Sequence, residues 1–157
     1  FGQRIDASAF AIGIAKVHLA RAVTTRNAGR TRSFTTSGVW VLVEGPAESK
    51  SESLTLTSAR WLGSNGVRYA LSERFSTMPG MLPSQRLEPG LPKPVLMAFE
   101  NPESQVSGGT LLIARSSLTP LDEEARIRMT GVRPDDIRPS IALGRSTGGV
   151  PWTLNAE

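Results

Sequence analysis

The residues whose types and spacing best match a catalytic motif lie near the C-terminus, in the stretch Gly144-Arg-Ser146-Thr-Gly148. It matches the Gly-x-Ser-x-Gly pattern, in which a nucleophilic serine occupies a sharp turn between a buried strand and a helix. The residues that follow, Gly149-Val-Pro151, cannot begin a regular helix, and the only histidine of the chain, His18, lies far upstream. We therefore interpret the stretch as a glycine-rich surface turn and predict no catalytic residue. A small serine hydrolase that uses Ser146 is the alternative.

Metal and cofactor chemistry has little support in the sequence. One histidine and no cysteine cannot form the usual zinc ligand sets. Asp122-Glu-Glu124 and Asp135-Asp136 could supply oxygen ligands, but neither has the spacing of a calcium-binding loop. Gly108-Gly109 and Gly148-Gly149 lack the lysine and the helix context of a phosphate loop. We predict no metal and no cofactor.

Positive charge is concentrated near the N-terminus of this chain, whose net charge is +4. Arg26, Arg30 and Arg32 fall in a polar, glycine-containing segment that we predict to be a loop. Such a loop would face anionic lipid headgroups, another polyanion or an acidic partner, or its arginines would form only local hydrogen bonds. No specific nucleic-acid binding is expected, because basic residues interleaved with aromatic ones are lacking. A basic nucleic-acid-binding domain is nevertheless kept as an alternative.

The elements that position these residues can be read from hydrophobic patterns. Residues 39–43 read Val-Trp-Val-Leu-Val between Ser37-Gly38 and Gly45-Pro46, which predicts a buried central strand. Trp40 is expected to be the main residue packed between two sheets, with Trp61 as its rival. The predicted core is centred on residues of the apolar runs: Val39, Trp40, Val41, Leu42, Phe99 and Ile113.

Further apolar runs, most of them alternating with polar residues, predict an all-β sandwich. They are Phe10/Ile12/Ile14, Val17/Leu19/Val23, Leu54/Leu56, Ala59/Trp61, Val67–Leu71, Val95/Met97/Phe99, Leu111–Ile113 and Ala125/Ile127/Met129. Changes of parity predict a bulge or break near residues 13–16 and a second irregularity near Ser58. Asn65-Gly66 predicts a hairpin with a type I′ turn, and Thr119–Glu124 predicts a single helical turn.

Two segments lack a strand pattern. Six of the eleven prolines lie in residues 79–102, with Met78 and Met81 nearby. We predict a long connection that caps one end of the sandwich, or else an adaptable binding surface. Residues 132–157 are predicted to form an irregular C-terminal extension, packed on the domain or on a partner. Trp152 is expected to dock in the same way.

The order in which several of these strands and turns follow one another is similar to that of a known group of domains. Val39–Val43 and the Leu54/Leu56 strand are followed by Leu87-Glu-Pro-Gly90, a strand ending in Phe99-Glu-Asn-Pro102, and Leu111–Ile113. This succession, over about residues 10–130, resembles a family of bacterial extracytoplasmic immunoglobulin-like domains of unknown function. That family includes a small secreted immunogenic β-sandwich protein. Its members often carry a polar Asn after the central strand, where this chain has Glu44.

The resemblance implies an immunoglobulin-like antiparallel β-sandwich over residues 1–131, with a long Pro-rich connection, followed by the extension 132–157. It also implies a non-enzymatic protein-interaction module of a bacterial envelope assembly. Such a module would be periplasmic, secreted or anchored by a segment missing from this chain, and its partner would be another envelope protein. The contact residues that we predict come from the basic loop, the connection and the tail: Arg26, Arg30, Arg32, Met78, Met81 and Trp152.

Overall fold

A computed structural model describes residues 4–27, 29–116 and 124–156, and these residues are almost entirely β-structure. The strands are β1 Arg4–Asp6, β2 Phe10–Gly13, β3 Lys16–Asn27, β4 Arg30–Ser49, β5 Leu54–Thr55, β6 Ser58–Leu62, β7 Arg68–Ala70, β8 Arg86–Leu87, β9 Lys93–Asn101, β10 Thr110–Ala114, β11 Ala125–Arg128, β12 Ile137–Arg145 and β13 Trp152–Ala156. Short 3₁₀ turns lie at Leu82–Ser84, Glu103–Gln105 and Pro134–Asp136. No helix in these ranges is long and apolar enough to span a membrane.

The large sheet is built around β4, a strand of 20 residues that contains Val39–Val43. Its order is β1-β2-β4-β3-β12-β13. β2 and β3 pair with successive parts of one edge of β4, and β9 pairs with the opposite edge. The predicted central strand is therefore confirmed. The pairing of β12 with β3 is parallel, from Leu19↔Ile137 to Thr25↔Leu143. The predicted antiparallel sandwich with an irregular tail thus needs correction in two details: one pair is parallel, and the tail forms two strands of this sheet.

The second layer is a four-stranded antiparallel sheet in the order β11-β10-β6-β7, and β5 and β8 form a separate two-stranded sheet. One apolar core joins the two layers, with Val41 and Phe99 from the large sheet and Trp61, Leu111 and Ile127 from the small one. The chain is therefore an all-β sandwich. Within the predicted C-terminal extension, β12 and β13 contribute two strands to the large sheet.

Alternation along β4 decides which side chains enter the core between the sheets. Val39, Val41 and Val43 face that core, so Trp40 and Leu42 point to the opposite face of the large sheet. The prediction that Trp40 packs between the sheets is wrong, because its position in the alternation is the outward one. Its rival Trp61 fills this role, fully buried with its ring centroid 6.0 Å from that of Phe99.

The outer face of the large sheet carries a second apolar cluster, which includes Trp40, Leu42, Phe75, Met81 and Trp152. Phe75, Met78 and Met81, together with Trp152 at the start of β13, cover it. The ring centroids of Trp40 and Phe75 are 4.9 Å apart. The proline-rich connection was predicted to cap one end of the sandwich. In the structure it begins with a segment that covers the outer face of the large sheet. A run that is apolar at every position fits a strand buried on both faces.

The predicted irregularities are confirmed. β2 ends at Gly13 and β3 begins at Lys16, and both pair with β4. Near Ser58 the chain changes sheets, since β5 pairs with β8 whereas β6 pairs with β10. The predicted helical turn at residues 119–124 lies, apart from its last residue, outside the described residues.

The hairpin predicted at Asn65-Gly66 joins β6 to β7. The Gly63 N–H donates to the Val67 carbonyl at 2.9 Å, which leaves a three-residue loop, and Gly66 has φ +84°. The type I′ turn is therefore wrong. The loop is of the longer kind that ends in a left-handed glycine.

Candidate functional site

The three arginines of the predicted basic loop lie on paired strands, at the end of the hairpin formed by β3 and β4. Arg26 pairs with Thr31, and Arg32 pairs with Thr25. We call residues 24–34 the hairpin arm. Arg26, Arg30 and Arg32 are exposed, and among the described residues none of them has a carboxylate within ion-pair distance. The segment is strand rather than loop, but its positive charge is presented to solvent.

The arm is basic on both of its faces. Arg32 lies over the ring of Phe34, 5.0 Å from its centroid, and Phe34 packs against the outer cluster. Arg30 shares this face by strand alternation, whereas Arg26 is paired with Thr31 and lies on the opposite face. A partner of the arm could therefore contact arginines from two sides.

Arg145 adds a fourth cation near the arm that sequence reasoning missed. It ends β12, two residues beyond Leu143, which pairs with Thr25 of the arm. Its guanidinium donates to the Thr77 carbonyl at 3.3 Å and is exposed. No local pattern could have indicated this position, because the parallel pairing of β12 with β3 brings it there.

The other predicted contact residues belong to the outer cluster. Met81 and Trp152 are each 4% exposed, and Met78 is half-buried beside them. The Met81 and Trp152 side chains are thus covered largely by their own domain, and a partner contact through them stays a prediction. Trp152 docks on its own domain, which was one of the two predicted possibilities.

The Trp152 side chain is fixed by a carboxylate that lies between it and a histidine. Its indole N–H donates to Glu44 Oε1 at 2.6 Å, and His18 Nε2 lies 2.6 Å from Glu44 Oε2. Burial raises the pKa of Glu44, but the hydrogen bonds from His18 and Trp152 and the nearby charges of His18 and Lys16 outweigh it, so this pKa lies below its ordinary value. We call these three residues the Glu44 bridge.

A shallow apolar groove of about 400 Å³ lies beside Trp152. Pro46, Pro92, Pro94 and Val150 line it, and Val150 is 43% exposed. The groove therefore brings together the proline-rich connection and the C-terminal tail, two segments that the sequence singled out separately.

The Gly-x-Ser-x-Gly pattern lies in the loop between β12 and β13. The Ser146 N–H donates to the Pro151 carbonyl at 2.9 Å, and the Ser146 hydroxyl accepts from the Gly148 N–H at 3.1 Å. The chain continues into an antiparallel strand. This is a hairpin loop, and it differs from the strand–turn–helix arrangement that presents a nucleophilic serine.

The acidic pairs do not assemble into a larger cluster in the described part of the chain. Asp135 and Asp136 lie exposed in a 3₁₀ turn, and residues 122 and 123 fall outside the described ranges. Within those ranges, no group of three or more His, Asp or Glu side chains could hold a metal ion.

Comparison with solved structures finds a similar fold in an uncharacterized β-sandwich protein from Clostridium difficile 630, seen in a crystal structure. The two chains are 16% identical, and the TM-score is 0.49. The similarity covers 82% of this chain and 91% of that chain. No known protein family matches the sequence, and no curated protein does.

Proposed function

We propose that this protein is a non-enzymatic interaction module of the bacterial envelope, which binds an acidic partner protein through its hairpin arm. The observation that carries the proposal is the exposure of Arg26, Arg30 and Arg32 on both faces of the arm, with no carboxylate partner among the described residues. The resemblance to extracytoplasmic immunoglobulin-like domains supports the compartment. The arm supports the chemistry of the partner.

Several other arginines of the domain are paired with carboxylates, unlike those of the arm, whereas Arg68, Arg128 and Arg133 are exposed and have no ion pair among the described residues. A guanidinium nitrogen lies 2.8 Å from the Glu48 carboxylate in Arg4 and 2.9 Å from the Glu100 carboxylate in Arg74. In Arg126, Nε lies 3.3 Å from the Glu124 carboxylate. A guanidinium binds a carboxylate through two parallel hydrogen bonds, and this geometry selects an acidic partner. The arm therefore offers donors that the domain itself leaves unused.

The distribution of the arginines favours a protein cleft over a membrane as the partner. A flat bilayer could contact one face of the arm at a time, whereas Arg26 lies on the opposite face from Arg30 and Arg32. A cleft lined with acidic residues could contact both faces together. Complementary charge of this kind raises the association rate and is weakened by salt.

The test compares two triple charge reversals in the tagged, full-length protein. The first variant changes Arg26, Arg30 and Arg32 to Glu. The control changes three other exposed arginines in the same way: Arg68, Arg128 and Arg133. Each variant changes the formal net charge by the same amount, from +4 to −2, since each replacement subtracts two charges. Each protein is used to purify partners from solubilised envelopes, and the co-purified protein is then bound in purified form at several salt concentrations.

We expect an acidic envelope protein to bind the natural chain and the control, and to bind the arm variant at least about tenfold more weakly. Equal loss in both variants would mean that net charge alone matters and would contradict the proposal. Arm-dependent binding to anionic vesicles or to random-sequence DNA, without a protein partner, would replace the acidic protein by a lipid or a nucleic acid. A partnerless protein found in the cytosol would contradict both the compartment and the role.

A further inference from the structure

The hairpin arm has a free strand edge on its β4 side. Residues 39–47 of β4 pair with β9 on this edge, whereas residues 30–34 pair, among the described residues, only with β3 on the opposite edge. β9 ends at Asn101, and Pro102, which follows it, has no N–H with which to continue the ladder. The sheet therefore stops short of the arm on this side.

One hydrogen bond shows which backbone groups of β4 point outward from the arm. The Thr35 carbonyl accepts from Arg74 at 2.8 Å, and the same guanidinium nitrogen lies 2.9 Å from Glu100 of β9. This carbonyl thus points away from β3. Backbone groups alternate in direction along a strand, so the N–H and C=O of Thr31 and Ser33 point the same way. Both residues are exposed, and no described residue bonds to their backbone on this side.

The face of the arm beside this edge is positively charged. Arg30 and Arg32 share it by alternation, and both are exposed. Charged side chains on a free edge hinder pairing between two copies of a chain, because like charges would meet across the new strand pair. The same charges attract a strand that carries Asp or Glu, since opposite charges directly across a sheet stabilise the pairing. The edge therefore disfavours a second copy of this chain and selects an acidic segment.

We propose that the acidic partner adds an extended segment to this edge as an antiparallel strand. The inference rests on the proposed function and specifies how the partner binds. Residues directly opposite each other in an antiparallel pair share a face. The partner residues opposite Thr31 and Ser33 exchange backbone hydrogen bonds with them, and the residues opposite Arg30 and Arg32 are Asp or Glu. Backbone bonds then supply affinity, and an acidic residue at every second position supplies specificity.

The length of the added strand follows from where the free edge stops. At one end lies the turn with Gly29, whose φ is +79°. At the other end the Thr35 carbonyl is already bonded, and residues 36–39 have no partner in β3 because the register shifts there. Residues 36–38 instead line an open recess of about 550 Å³ at the end of β9. Residues 30–34 therefore remain for the partner, and a strand of about five residues is of ordinary length.

The first experiment uses synthetic peptides in place of the unidentified partner. The probe is Val-Asp-Val-Asp-Val-Asp-Val with blocked ends. One derivative carries backbone N-methyl groups on the third and fifth residues, which are Val, and the other on the fourth and sixth, which are Asp. The two derivatives have the same charge. With Asp opposite the arginines, the Val N–H groups face the arm and the Asp N–H groups face away.

Each peptide is titrated into the full, isotopically labelled chain while NMR follows the backbone amides of residues 31–35. We expect saturable shifts with the unmodified peptide and with the Asp-methylated one. Binding of the Val-methylated peptide should be at least about tenfold weaker, because its N-methyl groups remove the donors that face the arm.

The second experiment removes a donor from the protein. Ser33→Pro deletes the outward N–H and leaves the bonds between β3 and β4 in place, and proline is tolerated on an edge strand in this orientation. Ser33→Ala keeps the N–H and is the matched control. We expect the Pro variant to bind the unmodified peptide and the co-purified partner at least about tenfold more weakly than the Ala variant. Arg32→Ala should weaken peptide binding about two- to fivefold, and Arg26→Ala, on the opposite face, should weaken it less.

Three results would overturn the added strand: no saturable shifts with any peptide, equal binding of the two N-methylated peptides, or unchanged partner binding by Ser33→Pro. If partner binding is still lost in the triple arginine reversal, the proposed function stands and only the strand is wrong. If no partner depends on the arm, the proposed function itself is wrong, whatever the peptides show. If the Pro variant does not fold, the comparison of the two N-methylated peptides decides.

Discussion

The two faces of the large sheet are equally well buried, but they are covered in different ways. The side chains of Val39, Val41 and Val43 pack against a second sheet with regular strand pairing. The side chains of Trp40 and Leu42 belong to a cluster with Phe75, Met81 and Trp152. The five side chains of β4 have no exposed surface. Burial therefore does not distinguish the faces. The inner cover is the sheet β11-β10-β6-β7, which is held together by a ladder of backbone hydrogen bonds. The outer cover consists of Phe75, Met78, Met81 and Trp152, and it is held mainly by contacts between side chains from distant segments. We infer that the outer cover opens first.

The largest effect that would test this comparison is expected on the inner face. Trp61→Ala should lower the free energy of unfolding by about 3–5 kcal/mol, because it removes a fully buried ring and leaves a cavity between the sheets. Urea denaturation followed by circular dichroism measures the change. Val67→Ala, at a residue that is 47% exposed, is the matched control and should stay within about 0.5 kcal/mol. A loss below about 1 kcal/mol for Trp61→Ala would mean that the two layers do not share one cooperative core.

An intermediate effect is expected where the outer cover contacts Trp152. Gly80 has φ +88°, and a Cβ added to it would lie 2.2 Å from Cζ3 of Trp152. Gly80→Ala should therefore lower the free energy of unfolding by about 2–3 kcal/mol, by adding the displacement of Trp152 to the backbone strain. Gly66→Ala is the control, since Gly66 has φ +84° but open space around it, and should cost about 1 kcal/mol.

Hydrogen exchange would show whether the damage from Gly80→Ala stays local. We expect faster exchange in β13 and in residues 71–85, with unchanged protection in β6 and β10. An equal increase of the exchange rate in both layers would show that the two covers open as one unit. The two faces would then not differ in local stability.

The smallest effect is expected from the Glu44 bridge. The pKa of Glu44 is lowered in the folded state, so the carboxylate stabilises the fold above its unfolded-state pKa, and this contribution is lost as the pH falls through the lower folded-state value. Stability should therefore decrease in acid, below the ordinary value of 4.5. Glu44→Gln should remove part of this dependence and cost about 1 kcal/mol at neutral pH. Denaturation curves over a pH series measure both effects. An unchanged acid dependence in the Gln variant would show that the bridge does not contribute.

Local patterns in the sequence predicted much of the fold. The apolar run at residues 39–43, the parity changes near residues 13–16 and Ser58, and the Asn65-Gly66 hairpin all depend on neighbouring residues, and a sequence shows these directly. The face that Trp40 would occupy was predicted wrongly, because a run that is apolar throughout carries no alternation to orient it.

The candidate site was less accessible to prediction. The arginines of the arm were identified from their types, but their strand pairing was not, because three arginines around a glycine resemble a polar loop. The Glu44 bridge joins His18, Glu44 and Trp152 from three distant parts of the chain.

The parallel pairing of β3 with β12 has a consequence for how the protein forms. Leu19 near the start of the chain must meet Ile137 near its end before the large sheet is complete. During synthesis, β3 and β4 can form a hairpin early, but the other edge of β3 stays unpaired until β12 has left the ribosome. Contacts so distant in sequence slow folding, and an unpaired strand edge is a place where chains aggregate. The pairing of β12 with β3 is thus expected to slow folding and to leave an edge open to aggregation until it forms.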